Sequence, residues 1–149
     1  MKYRYLLLSL VLLLCLNSCK KDSTVPNSSV SIVGKWFITK QSSVLSYNGA
    51  QISAFTDTSF TTVDFAEYYS DGTGYFSQNS TTGPSLTEFA YTLKGTALTQ
   101  FTSTNTAGTP ETITSLTASS LSIHAESLVP DPNNPDQLDN EVDDYSYTR

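Results

Sequence analysis

Tyr68-Tyr69-Ser70-Asp71-Gly72-Thr73-Gly74-Tyr75 places an Asp-Gly pair between two aromatic, strand-like runs. Asp-Gly is a strong hairpin signal, because both central residues of a type I′ turn need positive φ. With Asp71 and Gly72 as a two-residue loop, Ser70 faces Thr73 and Tyr68 faces Tyr75 across the ladder. A bulge at Gly74 shifts that pairing by one residue, so two registers stand open.

The same grammar extends in both directions. Upstream, Ile32, Gly34, Trp36 and Ile38 share one parity, the period-2 mark of a strand with one buried face. Asn48-Gly49 makes a turn that leads to Ile52 through Phe60, and Val63, Phe65, Tyr68 and Tyr69 then approach Asp71. Downstream, Phe89, Tyr91 and Leu93 alternate up to Lys94-Gly95, and Ala97 to Thr102 runs back as a partner. Ile113 to Leu116 and Leu121 to Ala125, joined by Thr117 to Ser120, form a further hairpin with Leu121, Ile123 and Ala125 on one face. Val129 to Asn140 holds Pro130, Pro132 and Pro135 among Asp and Asn, which argues against ladder pairing and predicts an exposed loop before a last short strand with Tyr145 and Tyr147. Thr, Tyr, Phe, Val and Ile recur while long Ala/Glu/Lys/Leu runs are missing, so the class is all-β, with about eight strands in a meandering barrel or sandwich.

The N-terminus carries a different message. Lys2 and Arg4 precede Leu6 to Leu16, eleven residues that are apolar except for Ser9, which is the layout of an export leader. A spanning helix needs roughly 20 apolar residues, so this run is too short to remain in a bilayer. Leu16-Asn17-Ser18-Cys19 then resembles the lipobox of bacterial lipoproteins. That resemblance implies cleavage of residues 1–18 and a lipid on Cys19, while Cys15, preceded by bulky Leu14, fits less well. Residues 19–31 read as a polar tether, and residues 32–149 as one domain. Within the tether, Asp22-Ser23-Thr24 resembles a short bacterial O-glycosylation signal.

Lys2 and Arg4 leave with the leader, so six Lys and Arg face fourteen Asp and Glu, a net charge of -8 on the mature chain. Nucleic-acid binding requires basic clusters and is not expected. Cys19 is the one cysteine of that form, which excludes an internal disulfide, and a single His leaves no ligand set for zinc. No cofactor or metal is expected.

With these elements in order, Gly34-Lys35-Trp36 resembles the Gly-X-Trp motif of lipocalins. Together with the Tyr68 to Gly74 hairpin, the Tyr91-Thr92-Leu93-Lys94-Gly95 turn and the Leu116 to Leu121 hairpin, the chain from Ile32 to Arg149 is similar to the lipocalin-like lipoproteins of Bacteroidota. The resemblance implies an antiparallel up-and-down barrel with Trp36 across its closed end, lipid-anchored in the cell envelope at the outer membrane as a monomer. It carries over no functional residue except Cys19.

Several residues admit a plain and a functional reading. Trp36 is either core or the wall of a cavity. Tyr68, Tyr75 and Tyr91 either line a pocket for a small, partly apolar ligand or pack across strands. His124, opposite in parity to Leu121, reads as outward and solvated. The acidic run from Asp131 to Asp144 concentrates oxygen ligands but breaks the EF-hand pattern at Pro135 and Asp136, which leaves a solvated loop as the default. Catalytic signatures such as Gly-X-Ser-X-Gly and HExxH are absent, so the chain reads as a non-enzyme. Two functions remain: a binding module for a small hydrophobic ligand, and a structural or interaction module with a filled barrel.

Overall fold

The computed structural model describes residues 30–131 and 134–149. The expected leader, Cys19 with its lipid, the body of the tether and Asp22-Ser23-Thr24 lie outside the described residues. Among the described residues nine strands follow one another: β1 (Gly34–Tyr47), β2 (Ala50–Asp57), β3 (Phe65–Tyr68), β4 (Thr73–Ser80), β5 (Gly83–Lys94), β6 (Ala97–Phe101), β7 (Thr109–Leu116), β8 (Ser120–Asp131) and β9 (Asn134–Thr148). Every pairing is antiparallel, and β9 returns to β1, so β1 and β3 to β9 close an eight-stranded barrel. Closure leaves those staves without an unpaired sheet edge along most of the ring.

β1 is long enough to have two partners on one side. Its first residues pair with β3, from Gly34 opposite Tyr68 to Phe37 opposite Phe65, while Gln41 to Tyr47 pair with β2. Its other side pairs with β9 from Phe37 to Ser46. β2 is therefore not a stave. With the outer halves of β1, β8 and β9 it forms an overhang past one end of the barrel, where Ile52, Phe55, Leu128 and Leu138 are exposed.

The opposite end is shut by packing. Ile32, Trp36, Ile38, Leu98, Leu121 and Ile123 are buried together, as their shared parities require. Trp36 is 0 % exposed and donates its indole N–H to the Ile32 carbonyl at 2.6 Å, which satisfies its one polar atom. The Arg149 guanidinium lies 3.9 Å from the centre of that ring while its Nη2 donates to the Val33 carbonyl at 2.6 Å and the Ser31 carbonyl at 3.1 Å. Gly34 makes room for this plug, because a Cβ there would come within 3.0 Å of Arg149 Nη2. Trp36 is thus core, the plainer of its two readings.

The deciding hairpin forms, in the shifted register. Gly72 has φ 86°, but Asp71 is not among the positive-φ residues, so the turn is not type I′. Gly72 N–H donates to the Tyr69 carbonyl at 3.2 Å and Tyr69 N–H to the Thr73 carbonyl at 2.8 Å, a three-residue loop closed by a left-handed glycine. Asp71 Oδ1 accepts from Thr73 N–H and Oγ1–H at 3.0 and 2.7 Å and holds that geometry. Tyr68 consequently faces Gly74, not Tyr75, and Tyr75 faces Glu67. Gly74 is required there: a Cβ would run into the Glu67 carbonyl oxygen on the paired strand and stand 2.6 Å from Phe89 Cζ.

The stretch from Val129 to Asn140 corrects the expected loop. β8 and β9 continue as a hairpin, with Val129 opposite Asp139 and Pro130 opposite Leu138. β7 stops pairing β8 at Ala125, and β1 stops pairing β9 at Asn140, so β8 beyond Ala125 and β9 before Asn140 each have one free edge. Proline is tolerated in edge strands, where a missing N–H need not break a ladder bond.

Candidate functional site

Where the closed end is packed, the other half of the barrel is hollow. A cavity of about 240 Å³ is lined by Ala66 and Tyr68 of β3, Phe76 and Gln78 of β4, Thr87 and Phe89 of β5, Gln100 of β6, Thr102, Glu111 of β7, and Tyr145 and Tyr147 of β9. Strand alternation explains the set, since each pair on one strand is two residues apart and points inward together. Its lining extends from Tyr68 and Tyr147 to Gln78, Thr87 and Thr102, toward the end of the barrel from which the overhang projects. There β5 pairs with β6 only from Ala90 onward, leaving Gly83 to Phe89 bonded to β4 alone.

The floor is aromatic. Tyr68 meets Phe89 edge-to-face at 5.3 Å and Tyr91 at 5.2 Å. Tyr91 donates its hydroxyl proton to the Tyr69 carbonyl at 2.7 Å, which turns its polar tip to the backbone and gives its ring to the core. Tyr145 and Tyr147 stack at a tilt, 6.3 Å apart, along the inner face of β9.

Above the floor lies a short polar relay. Gln100 Nε2 donates to the Tyr68 hydroxyl oxygen at 3.1 Å and to Glu111 Oε2 at 2.8 Å. Burial pushes the Glu111 carboxyl up to about 7, and the Gln100 hydrogen bond offsets only part of that. Burial likewise raises the Tyr68 phenol, with the Glu111 charge adding to it. Tyr145 is pushed up to about 12 by burial and by the charges of Asp143, Glu111 and Glu141. Gln41 Nε2 donates to its hydroxyl at 3.4 Å.

Odd positions of β9 share the inner face, so Glu141 and Asp143 continue the row begun by Tyr147 and Tyr145. Asp143 is opposite Ala125, which is opposite Glu111, and on its other side Asp143 faces Ser43. Two carboxylates thus flank one small alanine, two strand spacings or about 9.6 Å apart at the backbone. Ser43 Oγ–H donates to Glu141 Oε1 at 3.2 Å. Asp143 Oδ1 is closed off from solvent with no hydrogen-bond partner among the described residues. No Lys, Arg or His is among the residues lining the cavity.

The three tyrosines named from the sequence part company. Tyr68 lines the cavity, Tyr91 supports it from beneath, and Tyr75 is on the outer wall, where its hydroxyl donates to Glu88 at 3.0 Å and its ring meets Tyr69 at 5.9 Å. The one-residue register shift at the turn moved Tyr75 to that face. It sits in a broader depression of about 670 Å³, with Leu86, Glu88 and Phe101, outside the barrel. Sequence reading passed over Gln100, Glu111, Tyr145 and Tyr147 as site residues. Their parity was legible on each strand, but their convergence depends on pairings between distant segments.

His124 is outward, as expected, yet paired: Nδ1 is 2.8 Å from Asp144 Oδ1 and Nε2 is 3.2 Å from Glu126 Oε1. The Asp144 hydrogen bond, then that of Glu126, raises its pKa. Among the described residues no three His, Cys, Asp or Glu side chains are grouped to hold a metal ion. At the end of the acidic run, Asp144 takes the outer face of β9 beside His124 while Glu141 and Asp143 share the inner one. Compared with family models, with curated proteins and with solved structures, the chain matches none.

Proposed function

We propose that this chain is a lipid-anchored lipoprotein of the bacterial cell envelope, of lipocalin-like type, whose barrel takes up one small, partly apolar molecule through its open end. The observation that carries the reading is the contrast between the two halves of the interior. One half is filled and sealed by Trp36 and Arg149, and the other keeps a cavity with an aromatic floor and a few convergent polar groups. Small-molecule sites share that composition. At about 30 Å³ per water, the space holds roughly eight waters, which limits the ligand to a small molecule.

The lipobox-like Leu16-Asn17-Ser18-Cys19 supports the address, with Cys19 acylated and residues 20–31 tethering the barrel to the outer membrane. One chain holds only marginally and two or more hold firmly, so the full lipid modification makes attachment stable. The role is binding rather than catalysis, and a monomer suffices for it.

Native mass spectrometry of the protein extracted from membranes tests both parts. The expected spectrum shows an acylated Cys19 and a small co-purifying molecule. An unmodified thiol refutes the anchor, and a bare barrel that takes up no small molecule refutes the ligand.

One observation favours a second reading as an interaction module. β2 has a free edge, and Ile52, Phe55, Leu128 and Leu138 expose apolar surface on the overhang. In-cell cross-linking concentrated on the overhang, with an empty barrel, would favour it.

A further inference from the structure

The barrel interior has a sign as well as a shape. Glu111 lines the cavity, and Glu141 and Asp143 stand on the inner face of β9, close enough that all three raise the pKa of Tyr145. Their described partners are neutral: Gln100 for Glu111 and Ser43 for Glu141. Asp143 Oδ1 has none. The described cations are placed elsewhere. Lys35 lies over Phe65 and 3.6 Å from Glu67, and Arg149 is spent on the closed end. Lys40 and Lys94 do not line the cavity.

A carboxylate in a partly enclosed site without a cation costs free energy that a positively charged ligand would recover. The surrounding surface suits the same ligand, because Tyr68, Phe76, Phe89, Tyr145 and Tyr147 present rings to the cavity. An ammonium group is attracted to ring faces, increasingly so when water is excluded. An anionic ligand would meet Glu111 directly, with Glu141 and Asp143 beyond it.

Resting on the reading of this cavity as a ligand site, we infer that its ligand is a small organic amine, bound as the ammonium ion between the Glu111 carboxylate and the rings of Tyr68 and Tyr145. Glu141 and Asp143 draw the cation inward from the mouth. The apolar body of the amine rests on Phe76 and Phe89, and Gln100 holds Glu111 in place for the ion pair.

Three probes with one body and different heads test the inference: phenethylamine, 2-phenylethanol and 3-phenylpropionate, titrated calorimetrically into the full chain at pH 8. The amine is expected to bind at least tenfold more tightly than the alcohol, with the carboxylate weakest. Loss of one partner of an enclosed charge pair typically costs about 30-fold in affinity, so Glu111→Gln should bring the amine-to-alcohol ratio close to one. Tyr75→Phe, on the outer wall, serves as the control and should keep the wild-type ratio. If amine and alcohol bind equally, or if Glu111→Gln keeps the preference, the cation inference is overturned while the cavity remains a ligand site. If no probe binds, the ligand-site reading falls with it.

Discussion

Replacing Glu111 with Gln should stabilise the barrel by an amount that grows as pH rises from about 4.5 to about 7 and is complete above that. The carboxyl is driven from 4.5 to about 7 by burial, and the Gln100 hydrogen bond does not restore it. Because the folded pKa lies above the unfolded one, the folded state binds the proton more tightly. Its contribution is fully present below about pH 4.5 and is lost as pH rises through 7. A shift of this size corresponds to about 3 kcal/mol at pH 8, and partial access to solvent reduces it to about 2 kcal/mol. The groups facing Glu111 add no opposing charge: Gln100, Tyr68, Tyr145 and Tyr147 are neutral there, and Asp143 beyond Ala125 is negative. Gln retains an amide oxygen to accept from Gln100, so the relay survives the change. For a body of this length about 2 kcal/mol moves Tm by roughly 8 °C. The assay is thermal unfolding by circular dichroism of wild type and Glu111→Gln at pH 4.5 and pH 8. An upward shift of that order at pH 8 and near-equality at pH 4.5 are expected. Equal shifts at both pH values, or a loss of stability at pH 8, would refute the placement of Glu111 inside the barrel.

Three further outcomes follow from the packing. Trp36→Ala should cost about 3 to 5 kcal/mol in urea unfolding, because it empties the closed end and strips the Arg149 guanidinium of its ring. Gly74→Ala should cost about 1 to 3 kcal/mol in urea unfolding, as the new methyl meets the Glu67 carbonyl oxygen as well as the Phe89 ring; Gly74→Ala/Phe89→Leu should recover only the part due to the ring, and full recovery would refute the backbone contact. His124 should titrate above its ordinary 6.5 by proton NMR, its contribution to stability being complete below the unfolded pKa and fading as pH rises through the folded one; Asp144→Asn should lower that midpoint.

Much of the fold was legible because strand alternation and turn chemistry are local. Ile32, Trp36 and Ile38 share a parity that did become the buried face, and Leu121 and Ile123 did the same. The hairpin at Asp71-Gly72 exists, but its register depended on whether one or two residues of the turn take positive φ. The Cβ contact of Gly74 with Phe89, a residue one strand further on, is information the octapeptide alone does not contain. That single-residue shift sent Tyr75 outward and kept Tyr68 inward. Pro130 and Pro135 read as breakers in the sequence because edge status is invisible until the lengths of the neighbouring strands are known. The site was the least legible part. Glu111, Gln100 and Tyr145 lie in three separate stretches, and only the β6–β7, β7–β8 and β8–β9 rungs bring them to one cavity. The acidity of β9 could be counted in advance, but not its division between an inner row and an outer one.

The most direct measurement is an experimental density map of the protein purified from cells that make it. Density for a small molecule against Tyr68, Glu111 and Tyr145, above a sealed Trp36–Arg149 floor, is the predicted result. Side chains collapsed into that space, leaving no room for a guest, would contradict the binding role.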